Sequence, residues 1–256
     1  MKTELIILGC GNSLGVPSIN GNWGNCDKNN KKNNRSRCSA VLLKGSNIVL
    51  IDTSPDIRHQ MIQNKIRSVS SVIFTHDHAD QTNGLFELRP FFWTKNEKIN
   101  IYANSETIKS LKNRFDYCFK SMPSYPAIVK PNLIKNNFSL GYKDEKIKIK
   151  TLQVKHGRIF VTAYIVNKTA YISDCNDKSI ATNKNFQELD YLIIDCIRIK
   201  KSPLHFNLSD VLYLNTVLKP KKMILTNMHA ELDYDYLMKS LPKNVVPAYD
   251  GLKIQV

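Results

Sequence analysis

The chain has 256 residues, 42% of them hydrophobic, which is enough for one large core, and it has no run of about eighteen apolar residues, so a helical membrane span is excluded. Lysine and arginine number 37 against 22 acidic residues, a net charge of +15 that favours phosphate-bearing partners. Six scattered cysteines without a Cys-x-x-Cys pair, behind an amino terminus lacking a signal-peptide pattern, predict a reduced, cytoplasmic protein. In chain order, residues 5–8, 38–43 and 47–51 read as strands, the last ending in Asp52. Ser54-Pro55-Asp56 predicts a helix over 55–65, with Ser54 capping and Pro55 in the first turn. A short apolar strand, Val72-Ile73-Phe74, follows. Further on come a strand at 99–102, a helix at 106–117 and a Pro-punctuated segment around 122–126, read together as a wall or lid. The second half is rich in strands (147–154, 170–173, 223–226), with helices predicted at 177–188, 209–218 and 234–239. This pattern is mixed α and β without a solenoid repeat.

Chemistry concentrates at Thr75-His76-Asp77-His78-Ala79-Asp80, where the strand at 72–74 ends. Two imidazoles one residue apart leave a strand on the same side, and a carboxylate two residues later can turn toward the same point, so three metal donors converge. His156, Asp174 and His229 each stand within a few residues of the end of a predicted strand, where a rigid element holds a side chain and a loop exposes it. The Gly9-Cys10-Gly11 opening lacks the Gly-x-Gly-x-x-Gly spacing of a dinucleotide site. Residues 29–37 form the one local basic cluster, and the other lysines are spread along the chain.

The order His-x-His-x-Asp, His, Asp, late His resembles the metallo-β-lactamase superfamily over nearly the whole chain, and most of all the cyclic phosphodiesterases of bacterial phosphonate utilisation. The stretches carrying the closer likeness are residues 8–17, Gly84-Leu85-Phe86-Glu87-Leu88-Arg89-Pro90, His205-Phe206-Asn207-Leu208, and a terminal Leu225-Thr226 with Ala248-Tyr249-Asp250-Gly251. The resemblance implies one domain over residues 1–256, an α/β fold of the αββα sandwich type, with two mixed sheets flanked by helices. It implies two divalent ions, Zn²⁺ or Mn²⁺, with one ion as the alternative. His76, His78 and His156 would hold the first, Asp174 would bridge, and Asp80 would hold the second. His205 would be the acid that protonates the leaving oxygen, and Asp80 is counted with it as catalytic.

Two departures from the family pattern fall on the second ion. Gln81 stands where many relatives have a histidine, and Thr226 is followed by Asn227, the nearest imidazole being His229. Gln81 and His229 are taken as ligands, with Asn227 as the alternative to His229, and an oxygen-rich position would favour Mn²⁺ over Zn²⁺. Only Cys26 stands where some relatives bind a further structural zinc on cysteines, so that zinc is not expected. The implied activity is hydrolysis of a small cyclic or sugar phosphodiester by metal-bound hydroxide. The alternatives are a tRNA 3′-processing-like nuclease, a hydrolase of another ester class, and a binding protein with a degenerate second site. A small diester is the expected partner, nucleic acid is less favoured, and a homodimer is allowed.

Overall fold

The computed structural model describes residues 1–123 and 125–256, so Ser124 of the Pro-punctuated segment lies outside the described residues. Two seven-stranded sheets form the molecule. The first contains β1 (Glu4–Gly9), β2 (Ser39–Lys44), β3 (Asn47–Ile51), β4 (Ser71–Ile73), β5 (Ile99–Ala103) and β6 (Val129–Leu133), with β14 (Leu252–Gln255) beside β1 at the edge. The second runs β13-β12-β11-β10-β9-β8-β7, made of β7 (Asn137–Leu140), β8 (Ile147–His156), β9 (Ile159–Val166), β10 (Thr169–Ile172), β11 (Tyr191–Asp195), β12 (Lys222–Thr226) and β13 (Val245–Pro247). Each sheet mixes an antiparallel part, joined by hairpins, with a parallel part.

Strand alternation sorts the apolar residues into layers. Leu5, Ile7, Leu42, Val49 and Ile51 face inward and pack with Val161, Ala163, Ala170 and Ile172 of the second sheet. Ile6, Leu8, Val41 and Leu50 face outward, under α1 (Ile57–Gln63) and under the segment carrying α2 (Ala79–Thr82), α3 (Arg89–Lys95), α4 (Ser105–Arg114) and α5 (Asp116–Phe119). Buried residues of α6 (Leu208–Leu218) and α7 (Tyr234–Ser240) join the core of the second sheet. Helices thus lie on both sides of a double sheet, the sandwich that the resemblance implied.

Local chemistry explains where the elements begin and end. α6 starts with a capping box in which Asn207 accepts from the Asp210 amide and the Asp210 side chain returns to Asn207. Asn104 caps α4 and Asp233 caps α7. Three predicted helices differ. The one over 55–65 shortens to α1 after Asp56, and Ser54 accepts from the Asp56 amide and donates to Gln60 without capping α1. The one over 106–117 breaks at Phe115 into α4 and α5. The one over 177–188 is two 3-10 turns, Lys178–Thr182 and Lys184–Phe186. There the Asp177 and Asn183 side chains accept the amides of Ser179 and Asn185, two residues on, which competes with an α-helical ladder.

The basic cluster at 29–37 also reads differently in three dimensions. Arg35 is buried, its guanidinium donating to the Leu232 carbonyl (2.6 Å), Asn33 Oδ1 (3.2 Å) and the His229 carbonyl (3.5 Å), with Cys26 Sγ at 3.8 Å. Arg37 pairs with Asp56. Both charges tie the loop at 22–37 to the rest of the chain, and the exposed basic groups of the cluster reduce to Lys31 and Lys32.

Candidate metal centre

The strands that point the same way end at one rim of the double sheet, and there the chemistry gathers. His76 follows β4, His156 closes β8, Asp174 follows β10, and His78 lies on the loop leading into α2. These four offer one ligand atom each, all within 4.8 Å of one another. The ring centroids of His76 and His78 are 4.5 Å apart, those of His78 and His156 5.2 Å, and those of His76 and His156 5.8 Å. Asp174 Oδ2 lies 3.4 Å from His76 Nε2 and 3.8 Å from His156 Nε2.

The far nitrogen of each buried imidazole is already committed. Asp52, directly after β3, accepts from the Thr75 amide and from Thr75 Oγ1, both at 2.8 Å. With its proton given to Asp52, the Thr75 hydroxyl is left as acceptor for His76 Nδ1–H at 3.0 Å, so Nε2 carries the lone pair that faces the cluster. His156 Nδ1–H donates to the Leu204 carbonyl at 2.8 Å with the same result. Gly157, at φ +60°, is where Leu204 comes closest: a Cβ there would lie 2.6 Å from Leu204 Cδ2. Arg114, at the end of α4, donates to the Asp77 carbonyl (2.5 Å), Thr82 Oγ1 (3.1 Å) and Asn83 Oδ1 (2.6 Å), clamping the loop that carries His78 and Asp80.

Electrostatics suits a cation. His76 Nε2 is buried without a hydrogen-bond partner. Burial disfavours the His76 charge, yet the Asp174 carboxylate 3.4 Å away outweighs it and raises its pKa; a place that draws a proton this way draws a metal ion too. Burial also works against the charge of Asp174, but His76 holds that carboxylate ionised, well below the usual range. Burial pushes His156 down to about 4, leaving it neutral as a ligand must be. Three imidazoles with a carboxylate fit Zn²⁺ or a similar divalent ion.

Asp80 lies next to this set rather than within the group of four, its pKa raised by burial and by Asp174. Gln81 is buried, its Nε2 donating to Asp80 Oδ2 at 3.3 Å and its Oε1 without a partner. Of the two late candidates, Asn227 and His229, Asn227 is the one hydrogen-bonded to the cluster. Asn227 Nδ2 donates to Asp174 Oδ1 (3.0 Å) and Asp195 Oδ1 (3.2 Å). Asn227 adopts φ +59°, a left-handed turn that asparagine tolerates, and the chain then leaves the rim. The His229 amide donates to Ile197 O and its carbonyl receives Arg35; its Nδ1 is buried without a partner, and His229 is not among the four gathered ligands.

His205 stands beside the cluster, its ring centroid 4.6 Å from that of His156. Its Nδ1 donates to Asp195 Oδ2 at 2.8 Å, and Asp195 is fully buried at the end of β11. Burial lowers the pKa of His205, but the hydrogen bond and charge of Asp195 outweigh it and push it up to about 9. Sequence reasoning missed Asp195, Thr75, Leu204 and Arg114. Asp195 alone had a signal: the apolar run Leu192-Ile193-Ile194 ends in a carboxylate, just as Val49-Leu50-Ile51 ends in Asp52.

Comparison with known proteins agrees with this geometry. Residues 47–228 match the β-lactamase superfamily domain. The solved structure of a diphosphatase from the PhnP family is 28% identical, with a TM-score of 0.88 over 100% of this chain and 98% of that one. Zinc-bound PqqB from Methylobacterium extorquens (16% identical, TM-score 0.77, 99% and 100% covered) and the short form of human tRNase Z (17%, 0.66, 98% and 98%) share the fold. An octanoyltransferase from Porphyromonas gingivalis is 27% identical over 97% of this chain, and the chain spans half the length of that curated relative. The chain belongs to the β-lactamase superfamily, with the fold of the metallo-β-lactamases and a His/Asp cluster of the kind their metal-dependent hydrolases use.

Proposed function

We propose that the protein hydrolyses a small phosphoric diester, cyclic or attached to a sugar, with divalent ions held by His76, His78, His156, Asp174 and Asp80. The observation that carries the reading is His205, hydrogen-bonded to the buried Asp195 carboxylate and seated against His156. Such a group suits a reaction whose leaving oxygen must be protonated as its bond breaks, as a sugar alkoxide must. The likeness to a PhnP-family diphosphatase over the full chain supports hydrolysis at a phosphoryl centre.

When bound, the ions supply Lewis acidity toward phosphoryl oxygens and a water of lowered pKa. The chain's own residues do the rest. Asp195 fixes the His205 tautomer so that Nε2–H faces the substrate, and it stabilises the imidazolium until the proton is passed on. Leu204 and His205 are consecutive, so one stretch orients a ligand through the Leu204 carbonyl and presents the acid. Its anchor is the Phe206 amide on the Cys175 carbonyl. A cavity of about 190 Å³ opens at His205 and is lined also by Lys178, Lys201 and Asn176, basic and amide groups suited to an anionic leaving portion.

The buried Arg35 and paired Arg37 leave little of the local basic cluster for nucleic acid, so a small diester is the preferred partner. No described helix is long and apolar enough to cross a membrane, and all six cysteines are buried and free, which fits work in a reducing cytoplasm. The test is hydrolysis of bis(p-nitrophenyl) phosphate by protein loaded with Zn²⁺ or Mn²⁺, set against a p-nitrophenyl carboxylate ester. Turnover of the diester above the carboxylate ester is expected. Hydrolysis of the carboxylate ester alone would replace this reading with another ester class.

A further inference from the structure

Besides His76 Nε2, two amide oxygens at the centre have no partner within the protein. Gln81 Oε1 and Asn227 Oδ1 are buried and unbonded, and both belong to side chains with almost no exposure, 0% and 1%. Leaving a buried acceptor unpaired costs about 1–3 kcal/mol. Here two such acceptors sit on amides whose other ends touch Asp80 and Asp174, so the surroundings are rich in oxygen acceptors and short of donors. A cation is the species that satisfies them.

Asp174 divides its two oxygens between two kinds of neighbour. Oδ2 faces His76 and His156, and Oδ1 faces Asn227. We infer that the centre has two unlike cation positions: an imidazole position at His76, His78 and His156, and an all-oxygen position built from Asp80, Asp174, Gln81 Oε1 and Asn227 Oδ1. Imidazole suits Zn²⁺, whereas carboxylate and amide oxygens suit the harder Mn²⁺ or Mg²⁺. The oxygen position also adjoins the acid, because the Asn227 amide shares Asp195 with His205. This inference rests on the metal-dependent reading above and extends it to which ion each position takes.

The test reads metal content, not activity. Chelator-stripped full-length protein receives one equivalent of Zn²⁺, then excess Mn²⁺, and is desalted. Both metals are counted by mass spectrometry and Mn²⁺ is followed by its paramagnetic resonance. One Zn²⁺ and one Mn²⁺ per chain are expected. The Gln81→His/Asn227→His double variant should then hold a second Zn²⁺ at least about tenfold more tightly, the scale on which ligand surroundings move metal affinity. Zn²⁺ retained with no Mn²⁺ would overturn the inference, the amides then closing the second position and leaving a one-ion centre. A second Zn²⁺ held by the unaltered protein as tightly as the first would overturn it equally. No ion of either kind would overturn the metal-dependent reading as well, so the two failures are told apart on the unaltered chain, whether or not the double variant folds.

Discussion

His76 and His156 reach the centre with the far ring nitrogen already committed, to Thr75 at 3.0 Å and to the Leu204 carbonyl at 2.8 Å. Gln81 and Asn227 reach it with amide oxygens that touch no donor. Two of the three rings on the imidazole side are therefore oriented by the protein before any ion arrives. The oxygen side has its carboxylates supplied with amide donors and its acceptors bare, an arrangement that a cation would complete. Preorganisation lowers the cost of binding, so the imidazole side should fill first and release last.

Asp174 is the one group shared by both sides, so Asp174→Ala should break the comparison altogether. Losing the bridging carboxylate should release metal from both sides. Removing Lewis-acid stabilisation worth several kcal/mol should cut diester turnover by about 10³-fold or more. Metal analysis of the variant beside its kinetics checks both effects. A variant that kept all its metal would show that Asp174 is not shared.

His205→Ala acts on the leaving oxygen and should spare the metal. Loss of a general acid costs typically about 10²–10⁴-fold, and the loss should be concentrated on diesters with alkoxide leaving groups, since p-nitrophenolate departs unaided. The acid form of His205 is present below its raised pKa, so alkyl diester turnover should fall as pH rises through an alkaline limb no higher than about 9. Cations bound nearby oppose the imidazolium and move that limb downward. The aryl diester should lack the limb. Equal slowing of both substrates would remove His205 from the acid role.

Much of the imidazole side is legible in the sequence because its ligands are local: His76 and His78 share one strand exit, and His156 and Asp174 stand at the ends of apolar runs. The groups that orient them are not local. Thr75 matters because Asp52, 23 residues earlier, takes its proton, and the Leu204 carbonyl meets His156 across a separation of 48 residues. Such pairings follow from strand order, which periodicity does not reveal. At the late position His229 has the better donor type, while Asn227, in a left-handed turn, is the side chain bonded to Asp174, a contact across 53 residues that spacing does not reveal. Apolar runs such as residues 5–8 mark strands and read only as mixed α and β, the sandwich being implied by the family resemblance, whereas the helix expected at 177–188 was lost to Asp177 and Asn183 bonding their own backbone.

Thr75→Val keeps the shape of the side chain and removes the hydroxyl that links Asp52 to His76. Metal affinity on the imidazole side should fall about 10–100-fold, the usual effect of removing a group that orients a ligand. The oxygen side, whose amides do not contact Thr75, should lose its ion only as far as it depends on the first. Titration with Zn²⁺ and then with Mn²⁺ separates the two. Equal weakening of both would mean that the centre fills cooperatively.

The smallest effect is expected from Asn207→Ala, two residues after the acid. Asn207 Oδ1 accepts from the amides of Ser209 and Asp210 and starts α6. Losing this cap should cost about 1 kcal/mol of stability in chemical denaturation. The Phe206 amide is fixed separately, on the Cys175 carbonyl, and Phe206 is buried, so His205 should keep its place on Asp195. Metal content should therefore be unchanged, and the ratio of alkyl to aryl diester turnover should remain that of the unaltered protein. If that ratio falls while stability drops by only this amount, the beginning of α6 is part of what aims His205, and the leaving-group side is less rigid than the imidazole side it adjoins.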